Sequence, residues 1–389
     1  MRILQICHKP PFPDVDGGTK AEKLLTKLLI EAGNVVDIFT IATEKHPFKE
    51  NELPNWFTKQ GSIEFCTIKS MPSKIGAVKS LLEKESYILS RFKNSELKEK
   101  LLNIDYSNYD LILFDGLASA LFMEEIKIKS GLKVVLRTHN LEFKVWGNLQ
   151  KEVKNPIKSS YFSVQSSKLK KQELNLFKIA DSIWHLNKDE IHDFPDEFKP
   201  KVHFLPIVVE LNQKTKASSS DKFKVGFLGA ANWQPNAEAI KFIQSELANS
   251  LKEIDIETLI AGRFQTNEML QYKNLINFGE VSKIEDFFNS IEVFVNPIFS
   301  GSGLRVKIID AVEFMVPIVS SKKGVEGLGL IPNKDYLNAE NKLEFIDKIK
   351  DLKTNPDKGK QMAKSAFESL NNQFGLKNNI SVINNLLTL

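Results

Sequence analysis

Short apolar runs alternate along this chain with longer stretches whose apolar residues return every three or four positions. Arg2–Cys7 reads as a strand, and Ala21–Ala32 as a helix with Leu24, Leu25, Leu28 and Leu29 on one face. Val35–Thr40 reads as the next strand, and His8–Thr19, rich in Pro, Asp and Gly, as the loop between. That is one βαβ unit, the start of a doubly wound sheet. Further strands are predicted at Ile63–Ile68, Leu111–Phe114, Lys133–Thr138, Ser182–Leu186 and Val202–Leu205, with a helix at Lys168–Ile179.

The pattern breaks after Pro206. Lys214–Asp221 is short, polar and without apolar period, which marks a linker. A second alternation follows, with strands at Lys224–Leu228, Glu257–Ala261, Leu275–Phe278, Val293–Val295 and Ile318–Val319. Helices at Ala237–Ala248, Ile284–Ser290, Val306–Met315, Leu343–Leu352 and Lys358–Leu370 separate them. A chain of 389 residues exceeds one ordinary core. The expected fold class is therefore α/β, two Rossmann-like doubly wound parallel-sheet domains facing across a cleft. The first spans 1–208, joined by a C-terminal helix at 377–389, and the second spans 209–376.

Composition narrows the class. Apolar residues make up 42% and charged residues 26%, the profile of a soluble globular protein. No apolar run approaches the roughly 18 to 20 residues of a membrane span, and Met1–Cys7 reads as a strand and not as a secretion signal, so a cytoplasmic protein is expected. Cys7 and Cys66 lie in strand-like settings without disulfide or metal spacing, and read as buried thiols. The net charge of +4 is small, but its location matters. Between Lys69 and Lys100 eight Lys or Arg face four Glu, and Ile75, Val78, Leu81 and Leu82 recur at helical spacing. Two readings stand: a basic amphipathic helix making peripheral contact with an anionic membrane, or a surface helix with solvated lysines. Nucleic acid is not expected as a partner, since no aromatic interleaving or binding motif accompanies the charge.

The chemistry concentrates in Ser300-Gly301-Ser302-Gly303-Leu304-Arg305-Val306-Lys307, which follows the apolar run Ile291–Pro297 and leads into the helix ended by Pro317. Strand, glycine-rich turn and helix in that order form an anion trap. Gly301 and Gly303 let the backbone approach, the N–H groups of Gly303 and Leu304 point at an anion, and Arg305 and Lys307 add charge. Asp310, one turn on, is placed to accept from a sugar hydroxyl. The alternative is a tight turn with solvated cations. Gly17 and Gly18 would let their loop approach a phosphate or an acceptor, or simply form a turn before a helix. His8 and His139 follow strands at the ends where chemistry sits, and the alternative for each is a structural histidine. Asp14-Val15-Asp16 has the shape of a metal-binding pair, but a lone pair in a loop is a weak signal, and no metal or other cofactor is expected.

These fragments in this order resemble the GT-B glycosyltransferases, and among them the large family 4 of retaining, nucleotide-sugar-dependent enzymes. The likeness rests on Lys9–Pro13, Gly17-Gly18 and Leu136–Glu142 in the first half. In the second it rests on Gly226–Gly229, Asn232–Asn236, Gly262-Arg263, Phe278–Val281, Gly301–Lys307 and Gly324–Leu328. It implies a sugar transferase that takes a nucleotide-diphosphate sugar to a glycan or lipid-linked acceptor, with retention, in cell-surface polysaccharide biosynthesis. Arg305, Lys307 and His139 would then be catalytic, the cations on the departing diphosphate and His139 on the transferred sugar. Donor contacts would come from Gly17, Gly18, Gly303, Leu304, Arg263 and Glu326, with Asp310 on the ribose and Phe278 and Val281 around the base. His8, Asn140 and Glu142 would lie on the acceptor side.

The chain departs from the family pattern twice. The usual pair of glutamates falls on Ser302 and Asp310, and the Arg and Lys expected after the second domain's first strand are replaced by Trp233-Gln234-Pro235-Asn236. The simplest inference is that Arg305 and Lys307 take over the neutralisation. The alternatives are a non-catalytic relative or partner subunit that binds nucleotide sugar, and an epimerase or phosphorylase on the same plan.

Overall fold

The computed structural model describes residues 1–153, 155–214, 222–263, 275–281, 283–301 and 305–389. The chain divides into two units, Met1–Val209 with Leu376–Leu389, and Glu210–Gly375. The polar stretch read as a linker lies almost wholly outside the described residues, at 215–221.

The first unit is built on seven strands: β1 (Arg2–Cys7), β2 (Val35–Ala42), β3 (Ile63–Thr67), β4 (Leu111–Asp115), β5 (Lys133–Thr138), β6 (Ser182–His185) and β7 (Val202–Phe204). Their order is β3-β2-β1-β4-β5-β6-β7, and every pairing is parallel. Both faces are covered, so successive residues serve opposite cores. Leu4, Ile6, Ile112 and Phe114 join one cluster, and Ile3, Cys7, Leu111 and Leu113 the other. Cys7 and Cys66 are buried free thiols.

Three helices of this unit differ from the periodicity. α1 (Gly17–Glu31) starts before its apolar stripe, because Asp16 accepts from the Thr19 backbone N–H at 2.9 Å and Thr19 Oγ1 accepts from that of Asp16 at 3.0 Å. This reciprocal cap makes Gly17 and Gly18 the first helical residues, correcting the loop expected there. The single basic helix weighed for residues 69–100 is instead three short ones, α2 (Lys74–Lys79), Tyr87–Ser90 and Ser95–Leu102. The side chains of Ser73, Ser86 and Asn94 each cap a new start. α3 (Glu142–Glu152) is followed by α4 (Pro156–Ile179), which begins well before Lys168 because Asn155 caps it and Pro156 fills its first position.

The second unit has six parallel strands: β8 (Lys224–Leu228), β9 (Glu257–Ala261), β10 (Leu275–Gly279), β11 (Val293–Asn296), β12 (Ile318–Ser320) and β13 (Leu337–Asn338), in the order β10-β9-β8-β11-β12-β13. β13 is too short for any pattern to show. α5 (Gln234–Phe242), α6 (Val306–Glu313), α7 (Lys342–Thr354) and α8 (Pro356–Phe374) are its main helices. In each sheet the strand order reverses once, between β1 and β4 and between β8 and β11, and such switch points are where open α/β sheets bind ligands.

The last helix, α9 (Ile380–Thr388), returns to the first unit. Ile383, Leu386 and Leu387 are buried in one cluster with Leu24, Leu25 and Leu28 of α1. Ile383→Ala is expected to lower the stability of that unit by about 2–5 kcal/mol, the cost of truncating a buried aliphatic side chain. Faster hydrogen exchange at the β1 amides, with little change in β8, checks it.

Candidate functional site

The first switch point carries a buried charge network. Strand register sets Cys7 beside Asp115 and Asp115 beside Arg137, so the residues at these strand ends come together. Asp115 is fully buried and accepts from Arg137 Nη1 at 3.0 Å on both oxygens, from His139 Nε2 at 2.9 Å and from Gln5 Nε2 at 3.2 Å. Thr26 Oγ1 donates to Gln5 Oε1 at 2.8 Å, which fixes the amide's orientation. On the other side His8 Nδ1 lies 2.7 Å from Oε1 of Glu22, a buried carboxyl on α1. The His8 and His139 rings stand edge to face, 6.2 Å apart. Gly116 is required beside them: its φ is +89°, and a Cβ there would lie 2.8 Å from His8 Nδ1.

Environment gives the two histidines opposite tendencies. Burial pushes His139 down to about 4 despite its bond to Asp115, with the charge of Arg137 acting the same way. Burial opposes ionisation of Asp115, but Arg137 and His139 outweigh it and hold the carboxyl well below the usual range. His139 is therefore neutral near pH 7. It donates Nε2–H to Asp115, which leaves Nδ1 as an acceptor. Burial also works against a charge on His8, yet Glu22 outweighs it and raises His8. Glu22 itself is pushed by burial up to about 7, with His8 limiting the rise. Each group therefore favours the charged form of the other against the cost of burial.

Asn140 and Glu142 sit where the chain enters α3, with Asn140 Nδ2 3.5 Å from Glu142 Oε1. The backbone N–H groups of Glu142 and Phe143 donate at 3.0 Å to the two oxygens of Glu173, which caps α3 from α4. Burial pushes Glu173 up to about 8. The paired aspartates before α1 are engaged separately, Asp14 with Lys23 at 3.2 Å and Asp16 with Lys9 at 3.1 Å and His46 at 2.9 Å.

At the second switch point two cations converge. Arg305, at the N-cap of α6, is only 2% exposed, so it is no solvated surface charge. Its Nη2 donates to the carbonyls of Ser300 and Gly301 at 3.2 Å each, and its Cζ lies 5.1 Å from the centre of the Trp233 ring. Lys307 Nζ donates to Asn236 Oδ1 at 2.8 Å and sits 4.3 Å from the Phe227 ring. Asn236 Nδ2 donates to the carbonyl of Ala230 at 3.0 Å. The cations that follow β11 thus meet the segment that follows β8. Gly301 permits this approach: its φ is +81°, and a Cβ would lie 2.5 Å from Pro235 Cγ. Burial lowers the Arg305 pKa while Glu326 acts in the opposite sense, and burial with the charge of Arg305 pushes Lys307 down to about 7.

Other expected contacts are more dispersed within this unit. Asp310 is partly buried on α6. Gly303 and Leu304, with Ser302, lie outside the described residues. Arg263 is exposed and pairs with Glu280 at 2.6 Å. The Phe278 ring meets Phe287 edge on at 5.9 Å, and Val281 is partly buried. Glu326 pairs with Lys323 at 2.6 Å. The turn before it is fastened by Asn296 Nδ2, which donates to the Gly324 carbonyl at 2.8 Å and to Ser320 Oγ at 3.2 Å.

Sequence reasoning passed over Glu22, Asp115, Arg137 and Glu173. The available signal was a charge inside an apolar pattern. Glu22 lies on the same helical face as Leu25 and Leu29, Asp115 ends the run Leu111–Phe114, and Arg137 interrupts Lys133–Thr138.

Two all-parallel doubly wound units, each with polar side chains gathered at its switch point, define a protein of GT-B architecture. Residues 222–355 match the family model described as Glycosyl transferases group 1. The chain is 23% identical over 399 residues to an "Uncharacterized 44.6 kDa protein in cps region" of Klebsiella pneumoniae, covering 98% of each. Among solved structures it is similar to sucrose-phosphate synthase from Thermosynechococcus elongatus, at TM-score 0.68 and 14% identity over 100% of this chain and 98% of that one. Anabaena HepE in complex with UDP and glucose gives TM-score 0.65 at 12% identity over 99% of each chain. The chain has the GT-B fold, and residues 222–355 of its second unit match a glycosyl transferases group 1 domain.

Asp115→Ala should cost about 3–5 kcal/mol in denaturant titrations, because it strands the Arg137 guanidinium in a dry interior. The histidines give a pH test. His139 in the folded chain sits near 4, below its ordinary 6.5, so the unfolded chain binds the extra proton first. Stability is lost as pH falls from 6.5 towards 4. His139→Gln should flatten that slope. His8 runs the other way, so NMR titration of Glu22→Gln should show its pKa lowered.

Proposed function

We propose that this glycosyltransferase moves a sugar from a nucleoside diphosphate donor to a glycan or lipid-linked acceptor, with retention, in the assembly of a cell-surface polysaccharide. The observation that carries the reading is the convergence of Arg305 and Lys307 on Trp233 and Asn236 at the second switch point. A departing diphosphate needs fixed positive charge, and preoriented charge in a partly dry site is commonly the largest catalytic contribution. Trp233 and the loop carbonyls hold the guanidinium in place before any ligand arrives. The two side chains supply the neutralisation that a metal ion provides elsewhere. Asp310 takes the ribose, Gly303 and Leu304 supply backbone donors, and Phe278, Val281, Arg263 and Glu326 complete the donor contacts.

In the first unit, neutral His139 offers Nδ1 to a hydroxyl of the transferred sugar. The His8–Glu22 pair, with Asn140 and Glu142, serves the acceptor, and the N-terminus of α1 at Gly17 and Gly18 faces anionic oxygen. Retention follows if the acceptor attacks on the face the diphosphate leaves, and no enzymic nucleophile is then needed. The donor class is supported by HepE, solved with UDP and with UDP-glucose. The polysaccharide setting is supported by the cps-region relative. A lipid-linked acceptor would bring the reaction to a membrane face.

UDP, GDP and ADP should be compared by thermal unfolding; the cognate nucleotide at about 100 times its Kd adds about 2.7 kcal/mol. Arg305→Ala should remove that gain and reduce transfer about a hundredfold or more. Unchanged turnover would remove Arg305 from the mechanism, and no stabilisation by any of the three would favour a non-catalytic relative. Lys307 adds a pH test. Its free-state pKa near 7 means that the cation needed by the diphosphate must be regained above that pH. Affinity should therefore fall about tenfold per pH unit above 7 by calorimetry, and Lys307→Met should abolish the slope.

A further inference from the structure

The stretch 71–84 is folded inside out. Ile75 and Val78 lie one turn apart on α2, and Met71 and Leu82 flank it on either side. All four are open to solvent, Met71, Ile75, Val78 and Leu82 at 65%, 72%, 67% and 94% exposure. What α2 and its exit turn toward the body is small and polar. Ser80 is buried, and its Oγ accepts from Gln165 Nε2 at 3.0 Å. Lys168 Nζ donates to the carbonyls of Ser80 at 2.6 Å and Leu81 at 3.1 Å. Tyr87 Oη accepts from the Ser73 N–H at 2.9 Å. Hydrogen bonds from α4 and Tyr87 thus hold the aliphatic stripe outward.

Cations surround it. Lys69, Lys74, Lys79 and Lys84 are exposed, and none of them meets a carboxylate among the described residues. Beside the stripe opens a cleft of about 380 Å³ lined by Lys79, Tyr87, Arg91 and Lys93 together with Glu83 and Glu85. Glu85 is paired with Lys93, and Arg91 meets no carboxylate among the described residues.

Charge and composition choose the occupant. Protein interfaces are depleted in lysine and anchored by aromatic residues or arginine, whereas this stripe is aliphatic and edged by lysines. Exposed aliphatic side chains interspersed with exposed lysines suit the headgroup boundary of a bilayer with anionic lipid. We propose that residues 71–84 form a membrane-docking face. Met71, Ile75, Val78 and Leu82 enter the boundary of an anionic bilayer, and the four lysines engage lipid phosphates. This names the surface that would bring the chain to a lipid-linked acceptor, and it rests on the functional reading only for that acceptor.

Flotation of the full chain with vesicles tests it, using phosphatidylcholine alone or with about one third phosphatidylglycerol. Binding to the anionic vesicles should exceed binding to the neutral ones by about tenfold and fall with added salt. Combined Ile75→Ser, Val78→Ser and Leu82→Ser should weaken it about tenfold, and so should Lys74→Glu with Lys79→Glu, at unchanged melting temperature. The lysine pair lies on the open surface and serves as the second arm should the serine variant fold poorly. No binding to anionic vesicles at low salt, equal binding to both compositions, or wild-type binding by both variants would each overturn the proposal. So would a lipid-free dimer that the serine variant abolishes, which would assign the stripe to a second copy. No nucleotide is present, so this result stands apart from the fate of the donor-site reading.

Discussion

A single buried carboxylate organises the polar half of the first unit. Asp115 ends a strand whose other residues are apolar, and it lies where water cannot reach it. An isolated charge there would neutralise itself or unfold the site. It persists because Arg137, from the adjacent strand in register, and His139, two residues on, both donate to it. The same bonds that make the charge tolerable fix the imidazole's tautomer and leave its other nitrogen as an acceptor. Stability and chemistry are one arrangement here: the ion pair is present because the sheet is parallel, and the histidine is oriented because the ion pair is present.

The second unit poses the opposite problem, two cations brought together in a partly buried place. Aromatic faces and carbonyl oxygens are among the groups that hold them. Trp233 lies beside Arg305 and Phe227 beside Lys307, and among the described contacts are neutral ones: the Ser300 and Gly301 carbonyls with Arg305 and the Asn236 side chain with Lys307. Burial and the charge of Arg305 push Lys307 down to about 7, and its neutral partner Asn236 supplies no opposite charge to offset them. A carboxylate at the position of Asn236 would hold the lysine charged as one half of an ion pair. Asn236 keeps the lysine in place without adding a charge.

Much of the architecture was legible because the driving force is plain. Strands buried on both faces are mostly apolar, so Lys133–Thr138, Lys224–Leu228 and Glu257–Ala261 are visible in sequence to the residue. Helix starts were less visible, since caps such as Asp16 and Asn155 lie outside the apolar stripe that periodicity detects. The candidate cations Arg305 and Lys307 were legible from glycines before a helix. Their partners Trp233 and Asn236 were not, being some seventy residues away. Glu22 and Asp115 show the converse. A carboxylate needed for its buried charge looks, in one dimension, like a blemish in a hydrophobic pattern, and only the fold reveals what it faces.

The substitutions that set this chain apart from its resemblance group also make electrostatic sense together. The resemblance implies two glutamates around the glycine turn in most members and, in many, two cations after the first strand of the second domain. Here one acid position is Ser302, the other is the shorter Asp310, and Trp233-Gln234-Pro235-Asn236 carries no cation. Losing the cations alone would leave the turn with a surplus of negative charge. Losing the acid alone would leave surplus positive charge in a partly dry pocket, costly to bury. Changed together, with Arg305 and Lys307 at the helix start, they leave two cations and one acid in the first turns of α6. Trp233, in the segment after β8, packs against one of those cations. In that view the tryptophan and the missing glutamate are two halves of a single relocation of charge from the β8 segment to α6.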